Sequence, residues 1–328
     1  MSEIDVVLPW VNGQDLDWQQ TLFELYPEKK LSFDSERYRD WELLRYWFRG
    51  IESYAPWIRK IHFVTCGQIP EWLNFEHPKI NIVRHSDYIP KKYLPVFSSH
   101  PIEIFINKIP GLSEKFIYFN DDIFLLKKVD ETDFFRGGLP CDIAGFNAIT
   151  PGGISHVILN DIAIINDFFN KKSVIKNNLS KWLNFNNFDK TLRTLALLPW
   201  PNFTGFFDHH LAQPYLKKTM DEVWNRVPDS LLHTAKSKLR NNEDVNMYLF
   251  RYWHLCQGEF YNIPLDKYGK YYSINDSSVD EIATHIRCQG TKLITLNDES
   301  NLNFDMCKMK IKSAFNDILP NISQFEAY

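Results

Sequence analysis

Short apolar runs alternate with helical patterns along the first half of this chain. Residues 4–11, 60–66, 80–85 and 115–125 are rich in β-formers and lack a helical period, which predicts buried strands. Between them, Leu43, Leu44, Trp47, Phe48 and Ile51, and then Ile102, Phe105, Ile106 and Ile109, recur at helical spacing. Arg37-Tyr38-Arg39-Asp40 opens the first of these helical patterns, and Ser98-Ser99 just ahead of Pro101 opens the second. The alternation predicts an α/β fold with a mostly parallel sheet in residues 1–150.

The pattern changes after that. Residues 141–146 read as one more strand, and apolar residues at Ile158, Ile162, Ile165 and Phe169 give a helix. Residues 170–206 are rich in Asn, Lys and aromatics and have no clean period, so they read as an insertion, a lid or an acceptor platform. Pro214 fits the first turn of a helix lined by Leu216, Met220 and Val223. Asn241 or Asn242 is placed to cap the next helix, with Tyr248, Leu249, Tyr252 and Trp253 as its apolar stripe. A last strand, 291–298, and a helix from about Met306 to Leu319 return the chain to the sheet.

Candidate chemistry sits where strands end. The run 115–119 stops at Asn120-Asp121-Asp122. Ligands of open α/β sheets bind beyond the carboxyl ends of strands, and two adjacent carboxylates there need a counter-charge. A hard divalent cation, Mg²⁺ or Mn²⁺, supplies one; a solvated turn is the plainer reading. The strand 291–296 likewise runs into Asn297-Asp298, and the two edges could meet. The first strand ends at Trp10, with Asn12-Gly13 as a turn; Trp10 suits either the core or a stacking surface for a base. Arg37 and Arg39 at a helix start oppose its dipole unless an anion or an acidic neighbour answers them. Ser98 and Ser99 are phosphate donors or simple caps. His210 lies on a loop, in reach of general-base chemistry, or is a surface histidine. Arg240 suits a phosphate if it faces a cleft.

Composition narrows the classes. The chain has 328 residues, a 44% hydrophobic share and a net charge of −4, so it has ample core material and is no general nucleic-acid binder. An aromatic share of 15% favours ring-lined clefts for sugars and bases. Five scattered cysteines without CxxC spacing argue for a reducing cytosol and against a structural zinc. No signal peptide and no membrane-spanning run is expected.

In order and spacing, these segments resemble the Stealth family of hexose-1-phosphate transferases, which includes bacterial capsule phosphotransferases and the animal N-acetylglucosamine-1-phosphotransferase. The resemblance rests on Ile4-Asp5-Val6-Val7-Leu8-Pro9-Trp10-Val11-Asn12-Gly13, on Arg37-Tyr38-Arg39-Asp40 through Ser98-Ser99 to Asn120-Asp121-Asp122, on His210 with Pro214 and residues 240–244, and on Leu296-Asn297-Asp298. Members usually show His-x-Pro-x-Pro; here only the second proline is matched, and its distance selects His210 over His209.

The resemblance implies one Stealth-type catalytic domain over 1–328, built on a Rossmann-like domain for a nucleotide sugar. Residues 1–150 would form the donor-binding half. Residues 151–260 would be mainly helical and carry His210 and Arg240. Residues 261–328 would return to the core. It implies transfer of a sugar 1-phosphate from a UDP-sugar to a glycan hydroxyl, with UMP leaving. His210, Arg240 and Asp122 would be catalytic, and Asp121, Asp122, Asn297 and Asp298 would hold Mg²⁺ or Mn²⁺. Trp10, Asn12, Gly13, Arg37, Ser98 and Ser99 would bind the donor. Acceptors in such pathways include lipid-linked glycans, which would bring the lysine pairs 91–92 and 171–172 to the inner membrane face; such pairs are otherwise ordinary surface. The alternative is a metal-dependent glycosyltransferase that releases UDP, and a silent sugar-binding subunit is a second.

Overall fold

The computed structural model describes residues 3–30, 39–299 and 302–327. Arg37, one of the expected donor ligands, lies outside them. Five strands form the central sheet: β1 (Ile4–Pro9), β2 (Ile61–Thr65), β3 (Ile80–Arg84), β4 (Lys115–Tyr118) and, late in the chain, Gln213–Leu216. The first four are parallel in the order β3-β2-β1-β4, the order of a Rossmann half. The late strand closes the edge antiparallel to β4.

Strand alternation explains the two cores. Val6 and Leu8 of β1, Phe63 of β2 and Ile117 of β4 face one cluster. Val7, Val64, Phe116 and Tyr118 face the other. Side chains of a strand alternate between its faces, so a strand with apolar residues on both faces demands cover on both. Helix Leu44–Tyr54 supplies Trp47, Phe48 and Ile51 to the first face, with Ile311 and Phe315 of helix Phe304–Ile318. Helices Ser155–Phe168 and Met247–Gln257 cover the second with Ile158, Ile162, Leu249 and Trp253.

The apolar run 115–125 is two strands, not one. After β4 the chain breaks at Asn120–Asp122 and resumes as β5 (Ile123–Leu125) in a second sheet. Its companions are β10 (Gly269–Ile274) and β11 (Leu293–Asp298); the short β6 (Phe135–Arg136), β7 (Leu139–Asp142) and β9 (Tyr261–Asn262) form a third sheet, and the late central strand is β8. β11 runs antiparallel to β5, and Leu296 N–H donates to the Asp122 carbonyl at 2.9 Å. The two strand ends expected to meet therefore do so through the backbone.

Four expected elements differ. Pro214 lies in β8, and the helix begins only at Lys217; an edge strand is where a sheet tolerates proline. The helix after Arg240 starts at Met247, capped by the Asn246 side chain on Tyr248 N–H at 2.9 Å, not by Asn241 or Asn242. The helix expected from Arg37 onward starts at Leu44, leaving Arg39 in a loop. The strand expected over 141–146 ends at Asp142, the last residue of β7. Residues 170–206 hold helices Lys171–Asn177, Leu179–Trp182 and Phe188–Leu197. Among the described residues no helix is long and apolar enough to cross a membrane.

Candidate active site

The carboxyl edge of the central sheet gathers chemistry because β4 stops at Tyr118. Hydrogen bonding carries one residue further, with Phe119 N–H on the Val7 carbonyl, and then the backbone leaves the sheet at Asn120. Gln213 of β8 stands opposite Tyr118, so His210, three residues earlier, arrives at the same edge. His210 Nε2 lies 3.1 Å from Asp122 Oδ2 and 3.3 Å from Asn120 Nδ2. Thr295 Oγ1 of β11 donates to the His210 carbonyl. Tyr271 of β10 meets the imidazole edge-on at 6.0 Å. The residue is thus held from three elements, while 37% of the side chain stays exposed.

The neighbouring His209 is different. It is buried, and its Nε2–H donates to Asp142 Oδ1 at 3.2 Å. Asp142 also accepts from Arg251, from His254 at 3.0 Å and from Gln213 at 3.1 Å. Burial alone would raise the Asp142 carboxyl; the Arg251 guanidinium and the two histidines hold it well below the usual range. Arg251 reaches on to Asp208 at 2.7 Å, and burial still pushes that carboxyl up to about 6. Burial also lowers the His209 imidazole, which the Asp142 bond offsets only in part. The hub therefore anchors the loop from below, and His210 projects from it into the cleft.

For His210 the balance has the opposite sign. Burial lowers its basicity, but the Asp122 hydrogen bond and charge raise the pKa above the ordinary histidine value. A donor bond from Nε2 to Asp122 leaves Nδ1 as the basic ring atom.

A cleft of about 150 Å³ opens beside this histidine, lined among others by Ser99, Glu103, Tyr118, Asn120, His210 and Arg240. Arg240 comes from a loop that Asp244 pins down. The buried Asp244 carboxylate accepts from Asn241 N–H at 3.1 Å and Ser237 Oγ at 2.6 Å, and faces His100 Nδ1 at 2.9 Å. Ser99 opens the helix Ser99–Glu103 and lines the cleft. Ser98 makes no cap bond; its hydroxyl is buried without a hydrogen-bond partner among the described residues.

Trp10, Asn12 and Gly13 leave β1 at the same edge. Trp10 is half-buried against Phe63, ring centres 5.5 Å apart. Asn12 is clamped by Gln68 of the β2 loop through two hydrogen bonds, at 2.8 and 3.0 Å. The Gly13 carbonyl accepts from Gln19 Nε2 at 2.6 Å.

The acidic pair fits a hard cation. Asp122 Oδ1 is buried without a hydrogen-bond partner among the described residues. Asp121 opens to solvent at the mouth of the site, yet dense protein around its other sides and the Asp122 charge push its carboxyl up to about 7. A cation would relieve both. Asp298 has a different neighbour, with Arg39 Nε at 3.1 Å and Trp41 Nε1 at 3.2 Å. Asn297 Nδ2 donates to the Asp298 carbonyl. Among the described residues no three His, Cys, Asp or Glu side chains form a metal-holding group.

Two supports for the site were not foreseen from sequence: the Asp142–Arg251 hub and the Asp244–His100 clamp. Arg251 and His254 lie at helical spacing in an apolar stripe, and two polar residues inside such a stripe are the signal that was available.

Residues 37–140 match the family description "Stealth protein CR2, conserved region 2". Over its whole length the chain is similar to capsular polysaccharide phosphotransferase WcwK of Streptococcus pneumoniae, at 39% identity over 99% of this chain and 98% of that one. Exopolysaccharide phosphotransferase cps2G of Lactiplantibacillus plantarum is 37% identical over 99% and 96% of the two chains. Receptor polysaccharide phosphotransferase WefC of Streptococcus gordonii is 36% identical over 99% of each. Among solved structures, the apo bifunctional enzyme WbbM gives a TM-score of 0.41 at 11% identity, over 96% of this chain and 51% of that one, too distant for any residue role to be carried across.

Proposed function

Because this chain belongs to the Stealth family of phosphotransferases, we propose that it moves a hexose 1-phosphate from a UDP-sugar to a glycan hydroxyl in the synthesis of a cell-surface polysaccharide. The bond formed joins the acceptor oxygen to the β-phosphorus. The bond broken joins that phosphorus to the oxygen of UMP, and UMP leaves. The acceptor proton passes to His210. The observation that carries this reading is the contact between His210 and Asp122 at 3.1 Å, beside a cleft that Arg240 also lines.

The residues divide the chemistry, with Asp122 shared between the base and the cation. Asp122 orients the imidazole and stabilises its charge once it has taken the proton. Arg240 offers its planar fork to the β-phosphate oxygens as charge builds there. Asp121 and Asp122 would hold Mg²⁺ or Mn²⁺; Asn297 and Asp298, the latter paired with Arg39, are the further candidate ligands. When bound, the ion supplies positive charge against the phosphates. Trp10, Asn12, Gly13, Ser98, Ser99 and Arg37 serve the nucleotide end of the donor. The catalytic parts come from three separate stretches of chain, so the fold must close before any of them works.

The test is product identity. Purified protein with Mg²⁺ or Mn²⁺ and a UDP-sugar panel should release UMP only when a glycan acceptor is present, and chelation with EDTA should stop it. Acceptor-dependent UDP would instead indicate plain glycosyl transfer and remove the roles given to His210 and Arg240.

A further inference from the structure

Helix Phe188–Leu197 is amphipathic in the reverse sense. Its inward face is polar. Thr191 and Thr194 are buried, and the Thr191 hydroxyl donates to the Asn184 carbonyl at 2.7 Å. Thr194 Oγ1 accepts from Phe146 N–H at 2.9 Å. Asn187, at the helix start, is buried too and donates to the Ile263 carbonyl at 2.7 Å. Phe188, Leu192 and Leu195, spaced i, i+4 and i+7, face outward, and Leu192 is 50% exposed. Phe185 just before the helix is 87% exposed, and Trp200 just after it 52%.

A helix in a water-facing position normally buries its leucines and exposes its threonines. Here the polar groups are satisfied by the fold, and the apolar stripe is left for something else. A contiguous apolar stripe of this kind marks an interaction surface.

The charge around it says what covers it. Residues 170–206 carry six Lys and Arg side chains and a single acidic one, Asp189, in a chain whose net charge is −4. Asp189 is itself paired with Lys190. Lys171 is not part of the surface: it is buried, and its Nζ donates to the carbonyls of Leu197, Trp200 and Asn202 at 2.6 to 3.3 Å. That bond set ties the end of the helix and the Trp200 turn to helix Lys171–Asn177. Lys172 and Lys176 are exposed, whereas the Arg193 guanidinium donates to Asn147 Oδ1 at 2.9 Å. Apolar and aromatic side chains on one face, with cations in the same segment and almost no acid, are the pattern of a helix that lies in the interface of an anionic bilayer.

We propose that the 170–206 segment docks this protein on an anionic lipid surface, with Phe185, Phe188, Leu192, Leu195 and Trp200 entering the headgroup layer and Lys172 and Lys176 facing lipid phosphates. The docking surface is separate from the His210 cleft, and it stands or falls independently of the donor chemistry.

The experiment is sedimentation of the full chain with vesicles of phosphatidylglycerol and phosphatidylcholine, against vesicles of phosphatidylcholine alone. Binding to the anionic vesicles should be at least tenfold stronger and should weaken with salt. The double variant Leu192→Glu, Leu195→Glu should lose at least tenfold in vesicle affinity. Its circular dichroism should match the parent, because both side chains are exposed. A second variant, Trp200→Ser, should weaken binding independently. Equal affinity of parent and variants, or no difference between the two vesicle types, would overturn the proposal. So would a parent dimer, seen by light scattering, that Leu192→Glu, Leu195→Glu converts to monomer without any vesicle binding by the parent.

Discussion

Two adjacent histidines do different jobs, and substitution should separate them. His210 is half-exposed against Asp122, whereas His209 is buried on Asp142. His210→Asn should lower kcat by about 10²–10⁴-fold, the usual worth of a positioned base, with the melting temperature unchanged. His209→Asn removes a buried hydrogen bond and should cost about 1–3 kcal/mol of stability in urea unfolding. Loss of turnover in a fully folded His209→Asn protein, with His210→Asn active, would reverse the assignment. Asp142→Asn should be harsher still, because Arg251 would keep only Asp208 as a full counter-charge; breaking a buried pair costs about 3–5 kcal/mol. The two histidines stand side by side in sequence, and only the spacing to Pro214 separated them there. Asp142 is 67 residues away from His209 and 109 from Arg251, so the hub exists only after folding. The Asn120-Asp121-Asp122 step, by contrast, was legible because an apolar run that stops at polar residues marks a strand end whatever the fold.

At the scale of elements, the site depends on the second sheet closing over the first. β10 starts at Gly269 in extended backbone, and a Cβ there would meet Leu211 Cδ2 at 2.6 Å and Cγ at 3.2 Å. Glycine is needed for close approach and not for an unusual φ. Leu211 follows His210 and is buried, so crowding it moves the His210 loop. Gly269→Ala should cost about 1–3 kcal/mol, the usual range for overpacking, and lower kcat more than it raises KM. An unchanged kcat would show that the two sheets do not fix the loop. Element types were legible where the period was clean, as in β1, β2 and β11. They failed at Pro214, since proline is equally at home in a helix's first turn and in an edge strand. The segment 170–206 had no readable period because its central helix turns polar residues inward.

Across the whole molecule, the end of the chain is stitched to its beginning. Arg49 of helix Leu44–Tyr54 donates to both Glu326 oxygens, at 2.7 and 2.9 Å, and to the Leu319 carbonyl at 3.1 Å. Burial would raise the Glu326 carboxyl, but Arg49 and the Ser323 hydrogen bonds hold it below the ordinary value. A depressed folded pKa means that the pair contributes fully above the unfolded glutamate value of about 4.3. That contribution is lost as pH falls through the lower folded value. The gap in melting temperature between the parent and Glu326→Gln should stay constant from neutrality to about pH 5 and narrow below it. A parallel fall in Glu326→Gln would assign the acid limb elsewhere. In the proposed reaction sugar and phosphate travel together. A UDP-sugar labelled with ³²P at the β-phosphorus tests it most directly. The label should appear in the glycan in proportion to UMP released, and be lost from it in His210→Asn. Label remaining wholly in the nucleotide, with sugar still transferred, would contradict it.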